Sequence, residues 1–230
     1  MRWQSAIEFS NNFSDIDNSY KVAIVGGSSI DPEVKFLQSQ NVYSIDYFGI
    51  DSYGEPRFTF LNLEEFSEGK SIFNNSYDLV ICCHVLEHVW NTENALKNLI
   101  LLAKPNSGKI WVNCPASSIF HSSPNYYYSG LMAKTIANYL EINGATTLKS
   151  GNFGNPRWYF MIHILGLFAE KKDLDNPIFT HKFILSSGLF EFLKSVKLFF
   201  GRVTSLIIPN LIRKDVRYAS ETWVLAIKNV

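Results

Sequence analysis

The 230-residue chain carries 21 basic and 21 acidic side chains and 47% hydrophobic residues, which suits one domain with a sizeable core. Its zero net charge removes the electrostatic basis for nucleic-acid binding, and its composition is not that of a disordered chain. Cys82, Cys83 and Cys114 are the only cysteines, and adjacent residues of a strand face opposite ways, so buried, reduced thiols are expected.

The chain opens with MRWQSAIEFSNNFSDIDNSY, polar and acidic where a secretory leader needs an apolar stretch, and residues 1–19 read as an N-terminal extension. No later apolar run reaches the length of a bilayer span, which points to a cytoplasmic protein. Tyr20 to Val25 form a first apolar strand, closed by Gly26, Gly27 and small polar residues. Asp31 followed by Pro32 predicts the cap and first position of a helix through DPEVKFLQSQ. NVYSIDYFGID is a second strand region ending on Asp51, and RFTFLNL alternates like a third. SYDLVICCHV is a fourth, almost wholly apolar, as a strand covered on both faces must be. Asn91 or Thr92 caps the next helix, whose Ala95, Leu96, Leu99, Leu102 and Ala103 share one face until Pro105 stops it. A turn then leads into a fifth strand, KIWVNCP. This alternation predicts an α/β fold, a doubly wound and mostly parallel Rossmann-like sheet.

In the second half, SGLMAKTIANYLEINGA predicts a helix ending at Gly144, and ATTLKSGNFG a further strand. Residues 158–214 are aromatic and helical in pattern, broken by Pro177 and Pro209, whereas ETWVLAIKN is a clear last strand. A strand that closes the sheet after such an excursion makes 158–214 a helical insertion or lid within one domain spanning 1–230, with the last strand antiparallel. Within the insertion, Lys194, Lys197 and Arg202 share one sector of a helical wheel, with Phe and Leu elsewhere. Residues 186–214 suit a lid or dimer helix burying its apolar side; an interfacial helix in peripheral contact with a membrane is the alternative. The sequence sets no oligomeric state.

The glycine turn lets a ligand approach the backbone closely, and the helix after it offers free N–H groups. Asp51, twenty-five positions after Gly26, is placed to accept hydrogen bonds from both hydroxyls of a ribose. The block YDLVICCHVLEHVWNTENALKNLILLAKPNSGKIWVNCP then resembles class I S-adenosylmethionine-dependent methyltransferases of the type 11/23 kind. Tyr77 and Asp78 open a strand, followed by a VLEHV-like turn, a helix, a Lys-Pro-Gly-Gly-like turn and a strand ending in Pro. The resemblance covers roughly residues 20–150. More loosely, FHSSPNYYYSGL is similar to the His-x-x-Pro-x-x-Tyr segment of members encoded with surface-polysaccharide genes.

The resemblance implies S-adenosylmethionine as cofactor. Gly26, Gly27 and Ser28 would wrap its methionine and ribose, Asp51 would hold the ribose, and Asn62 and Leu63 would lie beside the adenine. Cys83 and His84 would face the sulfonium end. It implies methyl transfer to a small-molecule acceptor, an oxygen of a sugar or related metabolite, with His88 or His121 taking the proton. The family's usual acid two residues before the first Gly is Ile24 here, and its glycine-rich turn is reduced to Gly26-Gly27-Ser28-Ser29-Ile30. Its Lys-Pro-Gly-Gly turn becomes Lys104-Pro105-Asn106-Ser107-Gly108.

His84, Glu87 and His88 also spell H-x-x-E-H, a zinc-peptidase spacing, but that chemistry needs both histidines on one helix and here the first closes a strand. Glu87 and His88 are expected to order their loop without a metal, a divalent-ion site being the alternative. His121 and Tyr126–Tyr128 follow the fifth strand, where loops overhang the ligand crevice. A short-chain dehydrogenase would share the glycine turn and the acid, but it needs Lys four residues after Tyr; Tyr128 is followed by Met132, and Lys134 is out of place. A non-catalytic relative, keeping the fold as a binding module, accounts for the reduced turn.

Overall fold

Four apolar residues in a row leave a strand no polar face, and both sides of such a strand must be covered. Strand β1, Val22–Val25, is buried at every position, as are β2, Ile45–Gly49, and β4, Leu79–Cys83. With β3, Phe58–Phe60, and β5, Lys109–Pro115, they form a run of parallel pairs. The computed structural model describes residues 2–65, 74–116, 127–128, 130–154, 213–214, 219 and 221–230. Among these, β6 is Ala145–Gly154, β7 Arg213–Lys214 and β8 Glu221–Lys228, completing an eight-stranded sheet of order β3-β2-β1-β4-β5-β8-β6-β7. β8 runs antiparallel to both β5 and β6, the expected reversal of the last strand. The order turns back at β1 and β4, and the loops at the carboxyl ends of those strands frame the crevice where such sheets bind ligands.

Alternation along the strands divides the core in two. Val22, Ile24, Leu79, Ile81, Trp111, Trp223 and Leu225 pack with Phe9 of α1, Arg2–Asn12, with Phe13 just after it, and with Val34 and Leu37 of α2, Pro32–Ser39. The intervening Ala23, Val25, Val80, Cys82, Ile110, Val112, Val224 and Ala226 pack beneath α3, Thr92–Leu102, and α4, Ala133–Ile142. Helices therefore cover both faces, as a doubly wound sheet requires. The N-terminal extension is an integral part of this core: the Phe9 ring meets Trp111 edge-on at 5.4 Å, and Trp111 stacks on Trp223 at 5.1 Å.

Local signals resolve as follows. Asn91 rather than Thr92 caps α3, its side chain accepting the Asn94 N–H at 3.0 Å. Asp31 occupies the N-cap position of α2, but its carboxylate makes no capping bond to that helix and turns back to the Ser28 N–H at 3.0 Å. Gly144, just beyond α4, takes a φ of +95°, which fits the expected helix end. The expected helical insertion 158–214 lies outside the described residues except at Arg213–Lys214, where the chain is a strand paired with β6 rather than a helix. No helix of the described residues is long and apolar enough to cross a membrane.

Candidate functional site

The crevice is built from the turns after β1, β2 and β4. Gly26 sits at φ +70°, its N–H bonded to the Phe48 carbonyl of β2 at 2.7 Å. A Cβ there would overlap a methyl of Val85, so only glycine lets the β4 loop lie this close over the turn. A Cβ on Gly27 would come within 2.6 Å of the Asp31 carboxylate. The next two N–H groups are already taken: Ser28 donates to Asp31, and Ser29 to Oε1 of Glu55 at 2.6 Å. Burial pushes the Tyr47 hydroxyl up to about 12, helped by the charges of Glu55 and Asp31. The turn is thus lined by carboxylates, a poor host for a pyrophosphate and a good one for an ammonium group or for hydroxyl donors.

Asp51 is exposed just past the tip of β2, one oxygen accepting its own turn's Tyr53 N–H at 3.1 Å. Around it Ile30, Ile50, Tyr53 and Phe60 stay largely bare, giving the crevice an apolar rim. Asn62 lies at the edge after β3, bonded to the Glu64 N–H and to Glu65. The structure divides the two residues expected beside an adenine: Asn62 stays at the rim, whereas the Leu63 side chain is 6% exposed and belongs to the core under α3. Cys83 likewise packs its side chain into the opposite core half, because strand alternation points it there.

His84 follows in the left-handed region at φ 56°, a conformation that costs a non-glycine residue energy. Its N–H is tied to the Asn113 carbonyl of β5 at 2.8 Å, and the ring stands between two buried carboxylates. Nδ1 is 3.8 Å from Glu87 and Nε2 is 3.6 Å from Glu221. Glu87 also lies 3.9 Å from Nε2 of His88. Glu221 opens β8 on the same face as Trp223 and is held by the Ser5 hydroxyl of α1 at 2.7 Å and by Asn113 at 3.3 Å. Glu87 faces the other half of the core, where burial first and this charge second drive the Cys82 and Cys114 thiols well above their ordinary range. The imidazole of His84 therefore spans the sheet edge from one carboxylate to the other. One oxygen of each carboxylate, together with Asn113 Oδ1, is buried without a hydrogen-bond partner. Such atoms are costly to leave unmet and mark a place where donors are wanted.

The turn residues, Asp51, Asn62, His84 and His88 thus gather at one edge of the sheet. His121 and Tyr126 lie outside the described residues. Tyr127 and Tyr128 are held to the β4 loop, their N–H groups on the Glu87 carbonyl at 2.9 and 3.3 Å. Ser5, Glu55, Asn113 and Glu221 are absent from a reading of local motifs, because each joins the site from another element. Among the described residues, no three His, Cys, Asp or Glu side chains converge as a metal site.

No family profile matches the chain, and no curated protein matches it. Solved structures do. One, provisionally assigned as a sarcosine dimethylglycine methyltransferase from Galdieria sulphuraria, superposes with a TM-score of 0.55 at 13% identity, over 99% of this chain and 86% of the other. A SAM-dependent methyltransferase from Archaeoglobus fulgidus gives 0.55 at 14%, over 99% and 95%. The [4+2]-cyclase SpnF gives 0.55 at 10%, over 99% and 80%. The chain has the Rossmann-like methyltransferase fold, and at these identities the likeness extends to the fold alone.

Proposed function

We propose that the protein is an S-adenosylmethionine-dependent methyltransferase acting on an oxygen of a sugar or related small metabolite. The observation that carries this reading is the acid-lined glycine turn beside Asp51. With Asp31 and Glu55 on its N–H groups, the turn suits an adenosyl ligand that bears an ammonium group and no phosphate. That chemistry favours S-adenosylmethionine over a nicotinamide dinucleotide, whose pyrophosphate needs those N–H groups free. The cofactor, when bound, supplies a methyl group already activated on a sulfonium. Gly26, Gly27 and Ser28 form the turn that borders the methionine end, Asp51 accepts from the ribose, and Asn62 borders the base. We assign proton acceptance from the acceptor hydroxyl to His88, which is 25% exposed and backed by Glu87, with His121 as the second candidate. The free thiols suit a cytoplasmic protein.

Fold likeness to a cyclase leaves a second reading, a binding module that takes the same ligand without transferring its methyl. Isothermal titration with S-adenosylmethionine, S-adenosylhomocysteine and NAD separates these classes of ligand. The two sulfur compounds bind and NAD does not. Asp51→Asn weakens both by at least about tenfold, as losing hydrogen bonds to a charged acceptor implies. Binding of NAD, or of none of the three, removes the proposal. Methyl transfer into a sugar pool in the presence of S-adenosylmethionine then distinguishes the enzyme from the module.

A further inference from the structure

We infer that Trp90 and Tyr127, with the imidazoles of His84 and His88 beside them, form the acceptor subsite, and that it takes a polyhydroxylated saturated ring. The inference rests on the methyl-transfer reading and adds to it the residues that recognise the acceptor.

Trp90 is 68% exposed and Tyr127 42%, with their rings 5.6 Å apart and inclined at 70°. Bare aromatic rings usually sit on mobile chain; here the backbone is fixed from three sides. The Trp90 N–H donates to Oε1 of Glu64 at 2.7 Å, and the Trp90 carbonyl accepts from the Tyr128 hydroxyl at 2.8 Å. The Tyr127 N–H is bonded to the Glu87 carbonyl. The backbone that carries the indole is thus set before any ligand arrives, which lowers the ordering cost of binding. An edge-to-face pair leaves a flat apolar surface open on the indole, not a cage of rings round a cation.

The polar half of the subsite comes from the same loop and from the ends of β5 and β8 behind it. His84 and His88 are 30% and 25% exposed, and behind them Glu87 approaches both rings. Glu87 Oε2, Asn113 Oδ1 and Glu221 Oε2 are buried acceptors without partners, three against the one unpartnered ring nitrogen, His84 Nε2, that lies beside Glu221. An apolar face asks for C–H groups, and an excess of acceptors asks for several donors. A ring of C–H groups edged with hydroxyls satisfies both. A planar aromatic ligand satisfies only the rings, and a small ammonium ion leaves the flat surface uncovered.

Saturation-transfer NMR on the full chain loaded with S-adenosylhomocysteine tests this, with the methyl glycosides of glucose, galactose and mannose as probes and ethanolamine and benzyl alcohol as competitors. The ring C–H protons of at least one glycoside receive saturation; Trp90→Ala reduces the signal at least threefold, and Trp90→Phe, which keeps a ring and guards against misfolding, restores much of it. Glu87→Gln, a change at a positioning residue, shifts the pH profile of the signal. Three results overturn the inference: no glycoside signal, a signal indifferent to Trp90→Ala, or displacement by ethanolamine or benzyl alcohol at lower concentration than any glycoside. Binding of S-adenosylhomocysteine to the wild-type chain is read separately by titration, so failure of the cofactor reading is not mistaken for failure of this one.

Discussion

Gly26 is the residue on which the crevice turns, for two reasons that act together. Its φ of +70° is a conformation that costs L residues about 1–2 kcal/mol, and its missing Cβ is the space into which Val85 leans. Gly26→Ala therefore loses about 2–4 kcal/mol, since strain and overpacking both apply and Val85 is anchored by the strand before it. In a thermal melt the midpoint falls by roughly 5 °C or more for a chain of this size. S-Adenosylhomocysteine binding weakens as well, because the alanine pushes the β4 loop off the turn. A melt unchanged within error contradicts the packing described for this turn. His84 is the counterpart on the other side of the crevice. Its left-handed backbone is stabilised by the bond to Asn113, so the same edge stores strain in one residue and avoids it in another.

At the scale of elements, the start of α3 joins the two halves of the site. Its first free N–H groups are met partly by Asn91 and partly by Glu64, whose carboxylate accepts from Trp90 at 2.7 Å and Asn91 at 3.0 Å. Asn94 and Asn98 return the contact by donating to the Glu64 and Glu65 carbonyls at 2.9 and 2.8 Å. The loop after β3 and the loop after β4 are therefore one polar unit. Glu64→Ala removes a capping carboxylate and costs about 1–2 kcal/mol. Because Asn62 and Trp90 sit in the loops so joined, the loss extends to ligand binding. Denaturant midpoints fall in the variant, and S-adenosylhomocysteine raises them by less than in the wild type; Glu64→Gln, which keeps one acceptor, falls between. A stability loss with an undiminished ligand increment contradicts the coupling. The strands and α3 itself are legible in the sequence, because apolar runs and a 3.6-residue period are local properties. Glu64 is not, since its partners lie 26 and 27 positions away and nothing near it in the chain marks it as a cap. The same holds for Glu221: an acid opening an apolar strand reads as an ordinary boundary until α1 and β5 close round it with Ser5 and Asn113. The glycine turn and Asp51 are legible from spacing, whereas the inward turn of Leu63 and Cys83 depends on strand ends that local patterning places only loosely.

Among the described residues, burial gives the molecule one electrostatic character: tyrosines and thiols that it keeps protonated. Tyr77, fully buried, is pushed well above its ordinary range by burial first and then by its bond to Asp46, to which its hydroxyl donates at 2.8 Å. Burial raises Tyr47 to about 12, and it holds Cys82 and Cys114 well up with the help of Glu87. All four groups bind their protons more tightly folded than unfolded. Their contribution is complete below the unfolded values, 9.0 for the thiols and 10.0 for the tyrosines, and is lost as pH rises toward the folded ones. Lys228 runs the other way, because burial lowers its value from 10.5, but among the described residues it is one group against four and lies at the surface end of β8. The sign is thus net loss with rising pH, at about 1.4 kcal/mol per pH unit for each proton released by the unfolded chain alone. Urea midpoints should be level from pH 7 to about 8.5 and fall steeply above 9, the thiols acting first and the tyrosines from 10. Replacing Cys82 and Cys114 together by alanine removes the first part of that fall while lowering stability at neutral pH, since two packed side chains are lost. A wild-type midpoint that holds steady to pH 10.5 means that these thiols ionise as freely folded as unfolded, and that the strand tips beneath the crevice are open to water rather than sealed by α3 and α4.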